Sequence, residues 1–314
     1  MASLKELAQQ NKMPLAPGHR LCPGCLAPTV VRQVLMASKY PVVTTCATGC
    51  LEVSTTIYPY TSWNVPFIHS AFENSAATMS GIETTYRHMR KMGKIDQEMR
   101  FVAFGGDGGT YDIGIQALSG AMERGHSLLY VCYDNEGYMN TGAQRSSATP
   151  LCANTTTAPV GKAIKGKTEQ RKDLTLIMAM HDIPYVAQAS PHNSRDLIAK
   201  AEKAFDYNGA AFINTLATCV RSWGVDSKQS VEALKMATET CFWPLYEVDH
   251  GVLKISYKPK EKLPIAEFLK LQVRYKEMSK PESAELVKKL QDWVDYKWEQ
   301  LLALEAANLP KQAV

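Results

Sequence analysis

Three segments of this chain carry residue types that do chemistry at telling spacings. The first is Gly105-Gly106-Asp107-Gly108-Gly109, a single carboxylate between glycine pairs. Glycines let the backbone approach a bulky anion closely and reach positive φ. The carboxylate can hold a divalent cation, and a following helix turns its positive end toward phosphate. Magnesium takes octahedral oxygen ligands and bridges to substrate phosphates. The second segment is Asp134-Asn135-Glu136-Gly137-Tyr138-Met139-Asn140-Thr141-Gly142. Its Asn135 side chain and Gly137 carbonyl can add two oxygens to that of Asp107, which points to a diphosphate–Mg²⁺ site. A glycine-rich turn capped by Asp107 is the plainer alternative. Neither a dinucleotide fingerprint nor a P-loop fits, because the glycines miss G-x-G-x-x-G and no G-K-[ST] follows.

The third segment is Cys22-Pro23-Gly24-Cys25, a C-x-x-C turn that brings two sulfurs within reach of one metal or cluster. Cys50 and Cys219 are the expected partners, with Cys46 a rival to Cys50. Four thiolates hold a [4Fe–4S] cluster or a tetrahedral zinc; a thioredoxin-type pair would leave the other two unexplained. Cys132 reads as core, Cys152 and Cys241 as structural. The polar stretch 140–161 leaves the proposed metal site directly, and a loop this long in a compact domain is commonly functional; Asn140 would then face the reacting atoms. His69 stands before a helix start and reads equally as a cofactor contact, a cap or a core residue.

The elements that position these groups alternate. Apolar runs at 41–45, 101–104, 128–133, 184–187 and 211–216 read as buried strands. Helical patterns at 28–38, 71–92, 113–124, 173–181 and 194–206 lie between them. This order predicts an α/β fold, a mostly parallel sheet with helices on both faces. Ligands in such sheets bind beyond the carboxyl ends of the strands, where the Asp107 and Asn135 segments fall together with Cys46–Cys50 and Thr218-Cys219. The expected division is a cofactor-binding domain over 1–255 and a helical C-terminal extension over 256–314, packing on the domain or on a partner. Ser279-Lys280-Pro281-Glu282 has the form of a capping box, and the helix after it would place Leu286, Leu290, Trp293, Leu301 and Leu304 along one side.

Composition excludes several classes. Of 314 residues, 45% are hydrophobic and 21% charged, which is ordinary for a folded enzyme. The net charge of +4 is spread along the chain, so no basic stripe for nucleic acid stands out. No apolar run reaches membrane-spanning length, and residues 1–7 turn polar too early for a secretory signal. Eight cysteines are too few for a disulfide scaffold. The expected location is cytoplasmic.

Cys22-Pro23-Gly24-Cys25, Thr48-Gly49-Cys50, Gly106-Asp107-Gly108, Asp134-Asn135, Tyr138-Met139-Asn140-Thr141-Gly142 and Cys219 together resemble the β subunit of thiamine diphosphate-dependent 2-oxoacid:ferredoxin oxidoreductases. The resemblance runs from about residue 17 to 223, falls in the pyruvate branch, and is greatest to the oxalate oxidoreductase β subunit. It implies a thiamine diphosphate-binding fold, a [4Fe–4S] cluster on Cys22, Cys25, Cys50 and Cys219, and Mg²⁺ on Asp107, Asn135 and Gly137. Cofactor contacts would come from Gly49, Cys50, His69, Gly106, Asp107, Gly108, Gly109, Asn135, Gly137, Asn140 and Thr141, with Asn140 touching substrate. Leu26-Ala27 stand where pyruvate enzymes usually have Gly-Glu, and Thr218-Cys219-Val220 replaces Pro-Cys-Pro. Loss of that carboxylate would suit a dianion, so oxalate, giving two CO₂, is the expected substrate and pyruvate, giving acetyl-CoA and CO₂, the alternative. Partner subunits would supply the pyrimidine-side thiamine domain and further clusters, with ferredoxin as acceptor. A non-redox thiamine enzyme half and a zinc-stabilised binding module are the competing readings.

Overall fold

Apolar side chains that alternate inward on both faces of a strand demand cover on both faces, and this rule builds the domain. The computed structural model describes Glu6 and residues 13–307; the leader reading, apart from Glu6, and the outer limits at 1 and 314 lie outside the described residues. Eight strands form one sheet in the order β2-β1-β3-β4-β6-β5-β7-β8. They are β1 (Val42–Ala47), β2 (Phe67–Ser70), β3 (Arg100–Gly106), β4 (Leu129–Asp134), β5 (Tyr185–Ala189), β6 (Ala211–Leu216), β7 (Leu245–Asp249) and β8 (Val252–Tyr257). The first six run parallel; β7 and β8 add an antiparallel hairpin at one edge.

Val102, Phe104, Val131 and Ile213 face one layer, packed by Val30, Val31 and Val34 of α1 (Ala27–Met36). Ala103, Tyr130, Cys132 and Phe212 face the other, against α3 (Ser75–Lys91) and α4 (Ile115–Glu123). Between β1 and α3 lies the short α2 (Cys50–Thr55). Further along come α5 (Leu174–Ala179), α6 (Ser194–Asp206), α7 (Val220–Trp223), α8 (Ser230–Glu239) and α9 (Ala266–Leu269). The chain leaves β1 toward β2 on one side and returns to β3 on the other. The crevice between the carboxyl ends of β1 and β3 is thus the switch point where such sheets bind ligands.

The five expected strands are present, and three more join them. β2 is a four-residue edge strand, half polar and largely exposed, so it carries no apolar run. In β7, Glu247 is buried mid-strand because Tyr185 and Lys203, both distant in sequence, donate to it. The capping box does not form. Ser279 Oγ donates backwards to the Lys276 carbonyl, a tight turn occupies Pro281–Ser283, and α10 (Ala284–Ala307) begins after it. Leu290, Val294 and Leu301 of α10 are buried, while Leu304 is exposed. Leu290 and Val294 share an apolar cluster with Trp223, Leu234 and Trp243, and the 255/256 boundary falls inside β8. No helix among the described residues is long and apolar enough to cross a membrane.

Candidate functional site

At the end of β3, Asp107 is almost completely buried. Among the described residues no cationic side chain pairs with it; it accepts from Ser146 Oγ and from the Asn135 backbone N–H at 3.2 Å. Burial, then the charge of Asp134, pushes its carboxyl well above the usual range. A carboxylate in that position demands a positive partner. One terminal atom of the Asn135 amide lies 2.9 Å from Asp107 Oδ1 and 3.0 Å from the Gly137 carbonyl oxygen. Taken as nitrogen, it donates to both. Taken as oxygen, it stands from each of the other two oxygens at the edge spacing of a magnesium octahedron, about 3 Å when each ligand sits roughly 2.1 Å from the metal. The donor set therefore fits magnesium.

The cleft over these oxygens encloses about 180 Å³. Gly49, Cys50, Gly106, Gly108, Gly109, Asn140 and Thr141 all line it, with Asp107, Asn135 and Gly137 at its floor. Gly108 is required by close approach: a Cβ there would lie 2.6 Å from the Tyr138 ring. Instead of a long helix, a five-residue π turn (Gly108–Asp112) follows Asp107, and α4 starts only at Ile115. His69 does not line the cleft. Its Nε2 lies 2.6 Å from Thr48 Oγ1, which does, and 3.5 Å from Glu52.

The four thiols expected to act together lie on this same edge. Burial, then the Cys219, Cys25 and Cys22 thiols and the Asp107 carboxylate, push Cys50 up to about 12. Burial raises Cys25 to about 11, with Cys219 and Cys22 adding to it. Cys219 is raised by burial and also feels Cys22. Cys46 is set apart by its place within β1: it is fully buried in an apolar cluster, its thiol donates to the Ala47 carbonyl, and it does not line the cleft. Among the described residues no three Cys, His, Asp or Glu side chains surround a single-ion position. The C-x-x-C turn closes with Cys25 N–H on the Cys22 carbonyl and is fastened by Ser227 Oγ to the Pro23 carbonyl.

The stretch 140–161 is anchored throughout. Ser146 reaches Asp107, Thr149 Oγ1 donates to the Glu136 carbonyl at 2.7 Å, and buried Lys167 donates to the carbonyls of Ser146, Ser147 and Thr149. Beneath it lies a charge network with no role in the sequence reading. Arg171 holds Asp134 at 2.5 Å and Glu136 at 2.7 Å, and Arg274 holds the second oxygen of Glu136. Two carboxylates alternating at a buried strand end, Asp134 and Glu136, were the available signal. Their cationic partners lie 37 and 138 residues away, where no local pattern marks them.

Fold and cleft together describe a thiamine diphosphate-binding α/β domain, and residues 47–215 match the family described as thiamine pyrophosphate enzyme, C-terminal TPP binding domain. Pyruvate synthase subunit PorB of Thermotoga maritima is 51% identical over 318 residues, covering 98% of each chain. The PorB of Methanocaldococcus jannaschii is 49% identical, over 90% of this chain and 94% of its own. Ketoisovalerate oxidoreductase subunit VorB of Pyrococcus abyssi is 40% identical, over 91% and 92%. The solved 2-oxoglutarate:ferredoxin oxidoreductase of Magnetococcus marinus shares the fold, with a TM-score of 0.54 at 20% identity over 67% of this chain and 69% of that chain. The chain belongs to the β subunits of the thiamine diphosphate-dependent 2-oxoacid:ferredoxin oxidoreductases.

Proposed function

We propose that this chain holds thiamine diphosphate, Mg²⁺ and one [4Fe–4S] cluster in an enzyme that oxidatively cleaves pyruvate, giving acetyl-CoA and CO₂ with ferredoxin as acceptor. The relatives named pyruvate synthase support pyruvate over the oxalate expected from Leu26-Ala27. The packing supports the same change. Leu26 and Ala27 are both buried in apolar clusters and neither lines the cleft, so neither side chain faces the space proposed for substrate. The observation that carries the reading is the position of Cys50, which lines the cleft beside Asp107 and shares the field of the other three thiols.

Asp107, Asn135 and the Gly137 carbonyl would hold the magnesium. Gly106, Gly108 and Gly109 leave space at the cleft floor for a diphosphate. Asn140 and Thr141 line the cleft from its exposed rim, and Asn140 lies 3.9 Å from Cys50 Sγ, where it can contact substrate. His69 acts on the cleft only through Thr48. Bound thiamine diphosphate supplies a nucleophilic carbon and an electron sink for loss of CO₂. Cys22, Cys25, Cys50 and Cys219 would hold a one-electron acceptor beside it. A four-iron cube spreads its thiolates wider than a zinc ion does, which accords with the open quartet. The carboxylate that serves the aminopyrimidine ring would come from a partner subunit.

The test is a substrate panel on the anaerobically co-purified complex: pyruvate, oxalate, 2-oxoglutarate and ketoisovalerate with ferredoxin as acceptor, beside iron, sulfide and zinc analysis of this subunit. Pyruvate should give the highest kcat/KM, with about four irons in the subunit. Faster turnover of oxalate, or one zinc and no sulfide, would overturn the reading.

A further inference from the structure

Asn135 and Glu136 form a segment whose four backbone polar groups are each paired with a side chain rather than with another strand or turn. Asn135 N–H donates to Asp107 at 3.2 Å, and its carbonyl accepts from Trp223 Nε1 at 2.8 Å. Glu136 N–H donates to Asp134 at 3.0 Å, and its carbonyl accepts from Thr149 at 2.7 Å. Glu136 itself sits in the left-handed region, at φ 67°, which a side chain adopts only under constraint. The constraint is visible. Its carboxylate is fully buried and each oxygen is taken by a different guanidinium, Arg171 from the segment before α5 and Arg274 from the C-terminal region. Arg274 is also buried, held by Gln272 and stacked 4.3 Å over the Trp223 ring. Trp223 lies four residues beyond Cys219 at the end of α7, and its backbone N–H donates to the Cys219 carbonyl at 3.0 Å.

With the backbone and Glu136 fixed, the groups left to point into the cleft are the Asn135 amide and the Gly137 carbonyl. We propose that Arg274 and Trp223 are positioning residues for divalent-metal binding: they lock Glu136 and the Asn135 carbonyl so that the oxygens of Asn135 and Gly137 face Asp107. Neither touches the cleft. The C-terminal region thereby takes part in the metal site, and the Cys219 turn and the metal loop are joined through one indole. This rests on the reading of Asp107, Asn135 and Gly137 as metal ligands. Partners outside a ligand set typically change metal affinity by about 10–100-fold when removed.

The experiment uses the co-purified complex, depleted of divalent metal and supplied with thiamine diphosphate, and titrates Mn²⁺ by the loss of its free-ion resonance. Trp223→Phe keeps an aromatic ring under Arg274 but removes the N–H together with part of the buried ring volume. Arg274→Lys keeps the charge and removes the fork that spans Glu136 and the ring face. Each should weaken Mn²⁺ by about tenfold or more while iron content stays near wild type and the metal-free protein keeps a cooperative melting transition, lowered by the buried packing and pairing it loses. Arg274→Met leaves Glu136 half-paired and is expected to destabilise the chain, so it serves only as a folding control. If wild type binds Mn²⁺ and both Trp223→Phe and Arg274→Lys bind it equally well, the clamp has no positioning role. If wild type binds no Mn²⁺ at all, the ligand assignment fails and this inference fails with it.

Discussion

Asp107 shows how a buried carboxyl, here the proposed metal ligand, can cost stability. Without a cation beside it, its carboxyl is held well above the ordinary range by burial and by Asp134. An unfolded Asp titrates near 3.9. A carboxyl raised on folding supports the fold fully below about pH 4, and that support is lost as pH rises through the folded value. Asp107→Asn should therefore melt about 2–4 °C higher than wild type at neutral pH in metal-free protein, with the advantage vanishing toward pH 4. The same variant should bind thiamine diphosphate about 100-fold more weakly or worse. Calorimetry across pH checks the first expectation and a cofactor titration the second; a variant that melts lower and binds normally would contradict both. Asp107 was legible because glycines flank it and an Asn follows at the next strand end. Glu136, inside the same motif, was not, because its role depends on Arg171 and Arg274 rather than on neighbours in sequence. Spacing alone left Cys46 as a rival to Cys50; in the fold Cys46 is a fully buried residue of β1, whereas Cys50 lines the cleft.

Strands buried on both faces announce themselves, and those at 101–104, 128–133 and 211–216 fall within a residue or two of β3, β4 and β6. Elements that satisfy polar groups through distant partners do not. β7 carries buried Glu247, β2 is short and exposed, and the start of α10 depends on packing rather than on the Ser279 motif. The loop over the cleft is the extreme case. Its sequence is polar and reads as irregular, yet Lys167 binds three of its carbonyls from below, and burial lowers that amine to about 8. At neutral pH the ammonium is present and all three acceptors are satisfied. Lys167→Met removes the donor from three buried carbonyls, a loss of about 3 kcal/mol that falls locally on the loop. Amides over 142–158 should exchange at least tenfold faster in the variant, while those of α3 and β3 keep their wild-type rates. Uniform acceleration would mean that Lys167 supports the whole domain, and no change would mean that the loop holds itself.

At the scale of the molecule, the apolar clusters do not respect the expected division at 255/256. Ile265, Phe268, Tyr275, Met278, Leu290 and Val294 form one cluster with Leu151, Leu216, Trp223, Leu234 and Trp243, while Leu301 joins the cluster on one face of the sheet. Polar contacts cross the division as well. Glu305 accepts from the Ile255 N–H, covering an edge strand that would otherwise offer its backbone to other chains, and Lys297 pairs with Asp173 at 2.8 Å. An arm that merely lay on the surface could be removed with modest effect. Here removal of 256–314 exposes the buried faces of Trp223, Trp243 and Leu234 together, and it takes away Arg274, leaving Glu136 buried with one cation. Loss of one partner from a buried pair alone costs about 3–5 kcal/mol, comparable to much of a domain's net stability. A chain cut after residue 255 should therefore give no cooperative melting transition and bind an apolar dye at 25 °C. A truncated chain that melts cooperatively within about 5 °C of the full protein would show that 256–314 is an appendage after all, and that the cleft draws its order from the parallel sheet alone.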